Sequence, residues 1–184
     1  MLLKLISMLD TLITSKTRLK LLLKFFLNSN SKAYLRNLAQ EFNESSNAIR
    51  IELNKFEQAG LLKAEVSGNK KMFSANISHP LFPDIHNILL KHLGIDQLID
   101  EIISNLGNLH KVYLVGDIAK GQNSDIIDLL FVGSQINREY LMKLVTKAEK
   151  LIKRKVRYLI YGENEIEAYL EMKENHEYLL LWEA

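Results

Sequence analysis

One stretch, from Glu44 to Asn76, constrains the fold of this chain more than any other. Ser45 is suited to the N-terminal cap of a helix, because its hydroxyl can accept a hydrogen bond from a free amide of the first turn. Gly60 is suited to end that helix, since glycine adopts the left-handed conformation easily. Three apolar residues share one face between these positions, at the spacings i, i+4 and i+7: Ile49, Leu53 and Phe56.

A β-hairpin is predicted directly after this helix. Residues 61–66 are typical of a strand, residues 67–69 form a Ser-Gly-Asn turn, and a second strand begins at Lys70. Two shorter helices are predicted upstream, over residues 16–27 and 34–42. Three helices with a tight turn before the third, followed by a hairpin, are the arrangement of a winged helix-turn-helix.

In a winged helix the third helix enters the major groove of DNA, and phosphate contacts fix its register. Amide and guanidinium groups can pair with purine edges, which makes three residues the candidates for reading bases: Asn47, Arg50 and Asn54. Candidates for phosphate contacts lie at helix starts and on the hairpin: Arg36, Ser46, Lys70 and Lys71. Two alternatives stay open, because such polar residues also form solvated faces and winged helices also bind proteins.

The charge distribution divides the chain. Residues 16–76 contain 11 Lys or Arg residues against 5 Asp or Glu residues, whereas residues 77–184 contain 12 against 16. A basic front and an acidic back favour two modules, of which the front suits a polyanion. The predicted divisions are an N-terminal amphipathic helix, the winged helix, a helical connector and an α/β domain: 1–15, 16–78, 79–110 and 111–184.

The second module is expected to alternate strands and helices. Strands are predicted over residues 112–115, 128–132, 156–161 and 178–182, with a loop over 116–124 and helices over 137–154 and 164–173. The predicted fold class is therefore α+β, a winged helix-turn-helix followed by an α/β domain with a small mixed sheet.

The sequence LVGDIAKGQNSDIIDLLFVG resembles the motif of the nucleotidyltransferase superfamily in its minimal form. That family transfers a nucleotidyl group from a nucleoside triphosphate, using two metal ions held by three carboxylates. Five residues match the family motif in kind and order: Gly116, Ala119, Gly121, Ser124 and Asp125.

The same motif departs from the family pattern at four points. Asp117 replaces the serine that would hold the triphosphate, and its charge would repel that ligand. Asp125 and Asp128 are three residues apart rather than two, so their side chains should diverge along a strand unless a bulge intervenes. Arg157 matches the position of the third carboxylate, and the loop before Ser124 is short. These departures indicate a degenerate domain with no metal and no catalytic residue.

The alternative reading is an active, magnesium-dependent nucleotidyltransferase that the winged helix targets to its substrate. In a third interpretation, these carboxylates have no binding role: they only cap a loop and keep the edge of a strand exposed to solvent. Zinc is not expected, because the chain has no cysteine and its histidines lack i, i+4 spacing.

Nearly the whole chain resembles prokaryotic winged-helix regulators, often called ArsR-like, that are fused to a nucleotidyltransferase-like domain. The likeness is carried by TSKTRLKLLLKFFLN, GLLKAEVSGNKKMFSAN, HPLFP and the motif above. It implies a transcriptional regulator that binds double-stranded DNA, for which no cofactor is expected. The absence of cysteine fits a reducing cytoplasm. A homodimer is expected, with residues 1–15 and 96–106 as candidate dimer surfaces. Its effector, a small molecule or a nucleotide, is unspecified, and no apolar run approaches the roughly 20 residues of a membrane span.

Overall fold

The computed structural model describes residues 11–103, 106, 108–172 and 177–184. Residues 1–10, which make up most of the predicted N-terminal amphipathic helix, lie outside the described residues. In the described part of the chain, no helix combines the length and the apolarity needed to cross a bilayer.

The front half places helices around a three-stranded antiparallel sheet. Its strand order is β1-β3-β2, and β2 and β3 form the predicted hairpin. The elements, in chain order, are α1 (Lys16–Leu22) with a π-helical continuation (Leu23–Leu27), β1 (Lys32–Tyr34), α2 (Leu35–Phe42), α3 (Ser46–Gln58), β2 (Leu62–Ser67) and β3 (Lys70–Ala75).

Helix α3 forms for the reasons expected from the sequence. The hydroxyl of Ser45 accepts a hydrogen bond from the amide of Ala48 at 3.2 Å, which caps the helix. Gly60, with φ at +72°, takes the left-handed conformation just after the helix end. The predicted apolar face is buried, and each fully buried side chain of this size contributes about 1.5–3 kcal/mol: Ile49, Leu53 and Phe56.

Strand β1 was not expected from the sequence. Residue Tyr34 was predicted to open a helix, but it ends a strand, and α2 begins one residue later. The reason is tertiary, because β1 pairs with β3 and aligns Ala33 with Phe73. A three-residue strand of this kind depends on a partner that is distant in sequence, so local periodicity does not reveal it.

Two helices connect the halves. Helix α4 (Phe82–Leu93) ends at Gly94, which is left-handed, and α5 (Ile95–Ile103) follows at once. Helix α5 buries four apolar side chains inside this chain: Ile95, Leu98, Ile99 and Ile102. The core of the same chain covers these four side chains, and the dimer surface expected over residues 96–106 stays a prediction for the rest of that segment.

The back half contains the small mixed sheet expected from the sequence, in the order β6-β5-β4-β7. Strands β5 and β6 run parallel, and the other neighbours run antiparallel. Its elements are β4 (Leu109–Val115), α6 (Gly116–Ala119), β5 (Ile126–Gly133), α7 (Arg138–Ile152), β6 (Lys155–Tyr161), α8 (Glu163–Glu171) and β7 (Leu179–Glu183). The segment 116–124 was predicted to be a loop, but it opens with the short helix α6.

A single main hydrophobic core joins the two halves, so the whole is a mixed α/β structure with two small sheets. This core contains Phe26 from the front half and Phe131 from the back half, both fully buried. The amide of Asn28, itself buried, donates to the carbonyl of Ala119 at 3.0 Å. Gly121 (φ +82°) lies so close to the Lys24 backbone that a Cβ would collide with it. The halves are therefore packed tightly at this point.

Candidate functional site

A concave surface of about 730 Å³ lies between the start of α2, the exposed side of α3 and the hairpin. We call this surface the basic groove. Six of the seven residues predicted to contact DNA line it. The lining residues are Tyr34, Leu35, Arg36, Asn37, Ser46, Arg50, Leu53, Asn54, Asn69, Lys70, Lys71 and Phe73.

The charge of the basic groove has one sign, since its lining includes four cationic side chains and no carboxylate. Arg36 and Arg50 are exposed, and neither side chain has a hydrogen bond or an ion pair with any described residue. Lys70 places its Nζ over the ring of Tyr34, 5.4 Å from the centroid, which leaves its charge available to an anion.

Lys71 differs from the other three cations. Its Nζ lies 2.6 Å from a carboxylate oxygen of Glu57 on α3, and 5.3 Å from the ring centroid of Phe73. The ion pair neutralises part of the Lys71 charge and ties the hairpin to α3. Lys71 is thus a weaker candidate for a phosphate contact than Lys70.

The three candidates for base reading do not lie together. Arg50 and Asn54 are one helical turn apart and both line the groove, whereas Asn47 is exposed but does not line it. Ile51, which is 47% exposed, is an apolar residue on the solvent side of the same helix.

Of the six groove residues that the sequence analysis did not assign to DNA contact, three carry polar groups. Asn37 and Asn69 supply amide groups, and Tyr34 supplies the ring under Lys70. Asn37 could have been found, because it follows Arg36 in the first turn of a predicted helix. The role of Tyr34 depends on the pairing of β1 with β3, for which the sequence carries no local signal.

An ion-pair cluster around the buried carboxylate of Glu52 connects α3 to α1. The carboxylate of Glu52, whose residue is only 7% exposed, accepts from Arg18 of α1 at 2.8 Å and from Lys55 at 3.1 Å. Burial raises the pKa of Glu52, but the hydrogen bonds from Arg18 and Lys55 outweigh burial and hold that pKa below its ordinary value. Glu52 is therefore ionised at neutral pH and links the helix that lines the groove to α1.

At the start of the second sheet, the motif carboxylate Asp128 is paired with Arg157. These residues are register partners on the parallel strands β5 and β6, and two guanidinium nitrogens donate to the carboxylate at 2.6 and 2.9 Å. The hydrogen bond with Asp128 raises the pKa of Arg157 above its ordinary value. Gly116, with φ at +72°, packs so closely that a Cβ would collide with Asp128.

Asp125 lies apart from Asp128. Residues 126–128 pair with 155–157 without a register shift, so no bulge turns the two carboxylates together. Asp125 instead lines a cavity against the basic end of α7, with Lys150, Lys153, Arg154 and Lys155 among the lining residues.

The remaining motif residues have structural contacts. The hydroxyl of Ser124 accepts from the amide of Ile126 at 3.2 Å, and the carbonyl of Ser124 accepts from Arg154. Asp117 lies in the first turn of α6 and accepts a backbone hydrogen bond from Gln122 through its carbonyl. Among the described residues, no group of three or more His, Asp or Glu side chains could hold a metal ion.

Comparisons with known proteins give one partial likeness. No family model matches the chain, and no curated protein matches it. Among solved structures, the chain is similar to a "putative nucleotidyltransferase from Sulfolobus solfataricus", with 26% sequence identity, covering 49% of this chain and 78% of that one, at a TM-score of 0.35. A TM-score this low does not establish a common fold.

Proposed function

We propose that this chain is a DNA-binding transcriptional regulator that holds double-stranded DNA in the basic groove. The proposal rests on three cationic side chains of this groove that have no carboxylate partner: Arg36, Arg50 and Lys70. The concave surface that they line contains no carboxylate. Cations of this kind neutralise backbone phosphates and release condensed counterions, which is the main sequence-independent source of affinity for DNA.

The order of elements supports a winged helix-turn-helix as the binding unit. A helix, a short strand, two helices and a hairpin follow one another, and α3 exposes polar side chains beside that hairpin. In this proposal, α3 enters the major groove, Arg50 and Asn54 contact base edges, and Arg36, Ser46 and Lys70 contact phosphates. Asn47 lies one turn before Arg50 and outside the basic groove, so in this proposal it extends the contact of α3 along the DNA.

A homodimer is part of the proposal, because one winged helix reads few base pairs and two half-sites multiply both affinity and specificity. The apolar side of α5 is buried in the chain, so the dimer surface must involve other residues.

The second half, in this proposal, is a degenerate nucleotidyltransferase-like domain that serves as a scaffold or a sensor rather than a catalyst. Support comes from the pairing of Asp128 with Arg157, since a carboxylate that already has a cationic partner is a poor ligand for a metal ion. The separation of Asp125 from Asp128 points in the same direction.

Fluorescence anisotropy tests the proposal directly. Duplex DNA from the region upstream of the gene is titrated with the full chain over a series of salt concentrations, with unrelated duplex as competitor. Competitor-resistant binding, with log affinity falling by about 0.9 per phosphate neutralised for each log unit of salt, is the expected result. No binding even at low salt would reject the proposal and would favour a protein-interaction module.

A further inference from the structure

A second cavity, of about 480 Å³, lies at the junction of the two halves. We call it the polar pocket. It is lined by residues that follow α1, by one residue of β3 and by two residues of the back half: Lys24, Asn28, Asn30, Ser31, Lys32, Met72, Lys120 and Glu177. Its volume is that of a small-molecule site.

Seven of the eight residues that line the polar pocket are of polar or charged type. Met72 is its one apolar side chain, whereas three lysines contribute positive charge and Glu177 contributes one negative charge. Lys32 is exposed, and its side chain has no hydrogen bond or ion pair with any described residue. Since Lys24 and Lys120 each have a carboxylate partner, Lys32 carries the unpaired positive charge of the lining, which favours a small anion over an apolar ligand.

The two other lysines are held in place by carboxylates. Lys24, with only 15% of its side chain exposed, donates to Glu41 at 2.9 Å, and Lys120 donates to Glu177 at 3.0 Å. A lysine has three donors, so each ammonium group retains hydrogen-bonding capacity for a ligand beyond its present carboxylate.

The walls of the polar pocket are fixed relative to each other. The bond from Asn28 to the carbonyl of Ala119, and the close packing of Gly121 against Lys24, join the two halves at the pocket edge. A pre-formed pocket spends little binding free energy on ordering its side chains and loops.

We propose that the polar pocket binds a small ligand carrying a phosphate or pyrophosphate group, with the unpaired Lys32 as its main cationic contact and the remaining donors of Lys24 and Lys120 as weaker ones. The side chains of Asn30 and Ser31 offer neutral hydrogen-bonding groups at the same site. The proposal rests on this geometry alone and holds whether or not the chain binds DNA. A ligand bound there would contact both halves, because six of the eight lining residues belong to the front half and two to the back half.

Isothermal titration calorimetry of the full chain with inorganic pyrophosphate, at constant ionic strength, tests the inference. The variant Lys32→Ala should weaken binding about tenfold, because it removes a charge-assisted contact, and Lys120→Ala should weaken it less, because Glu177 already pairs with that ammonium group. The matched control is Lys143→Ala, which removes an exposed lysine of α7 and should leave the affinity unchanged. Circular dichroism verifies that every variant is folded.

A fourth variant gives a change of opposite sign. Glu177→Gln removes the one carboxylate of the lining and should strengthen pyrophosphate binding, which damage to the fold would not do.

Three results would overturn the proposal: no saturable binding of pyrophosphate, an equal loss in the Lys143→Ala control, or weaker binding after Glu177→Gln. If Lys32→Ala and Lys120→Ala instead weaken binding of duplex DNA while pyrophosphate binding stays intact, the lysines belong to a nucleic-acid surface and the small-ligand proposal fails.

Discussion

In the basic groove, the guanidinium of Arg50 has no described partner, whereas at the start of the second sheet the guanidinium of Arg157 makes two hydrogen bonds with Asp128. The guanidinium group is thus available to an external anion in the basic groove, whereas at the second sheet a carboxylate of the same chain already binds it. The difference shows that sequence charge alone does not locate a binding site. What matters is which charges the fold leaves unpaired.

The largest effect is expected from Arg50→Ala combined with Asn54→Ala. If these residues read bases, removal of both should cost about 3 kcal/mol or more, which lowers affinity for the specific duplex about a hundredfold. Anisotropy titrations measure it.

The matched control for this pair is Arg138→Ala with Asn164→Ala, which makes the same chemical change at exposed positions of the second half. An equal loss in this control would attribute the effect to net charge and would remove the distinction between the two regions.

A smaller effect is expected from Glu52→Gln, which breaks the buried cluster that links α3 to α1. Loss of its charge-assisted hydrogen bonds should lower the free energy of unfolding by about 1–2 kcal/mol at neutral pH. The folded-state pKa of Glu52 lies below the ordinary value of 4.5, so this contribution is present above that value and is lost as the pH falls through the folded pKa. Urea unfolding at several pH values measures the difference.

The free energies of unfolding of the wild type and of the Glu52→Gln variant should therefore become equal at low pH. A difference that stays constant over the whole pH range would show that packing, and not the carboxylate charge, accounts for the effect of the Glu52→Gln substitution.

The hairpin lysines provide a finer comparison within the groove. Lys70→Ala should weaken DNA binding similarly for all sequences and should reduce the slope of log affinity against log salt by about 1, as expected for one lost phosphate contact. Lys71→Ala should change the slope less, because Glu57 already pairs with that ammonium group. The opposite order of the two slopes would contradict the assignment of phosphate contacts.

The smallest expected signal is in the assay for nucleotidyl transfer. With magnesium and each labelled nucleoside triphosphate in turn, the chain should incorporate no label, because Asp128 is paired with Arg157 and Asp125 lies apart from it. Incorporation that disappears in Asp125→Asn or Asp128→Asn would establish the alternative function, an active nucleotidyltransferase.

Much of the front half could be predicted because its signals are local. The cap at Ser45 and the apolar face of α3 depend on residues close in sequence, and both have the predicted form in the structure. The hairpin was predicted too, but Ser67 ends β2 and pairs with Lys70, so its turn has two residues, 68–69, rather than the predicted three. Strand β1 and the buried position of Glu52 could not be predicted. Both depend on partners 34 or more residues away, such as Arg18 for Glu52.

The candidate sites show the same limit. Residue type and helical spacing were enough to select Arg50 and Asn54, which lie on one face of α3. Spacing also suggested that Asp125 and Asp128 would diverge.

The ion pair between Asp128 and Arg157 was not predicted, because the register of two parallel strands is set by the whole sheet. The Lys71–Glu57 pair was missed for a similar reason, since it joins the hairpin to a separate helix.

The most direct test of the central claim compares Arg50→Gln with Arg157→Gln on one duplex, by anisotropy at one salt concentration. The two variants have the same net charge, and circular dichroism verifies their fold. The account predicts that Arg50→Gln loses about tenfold in affinity, the value of one base contact, while Arg157→Gln matches the wild type. Equal losses in both variants, or full affinity in Arg50→Gln, would contradict it.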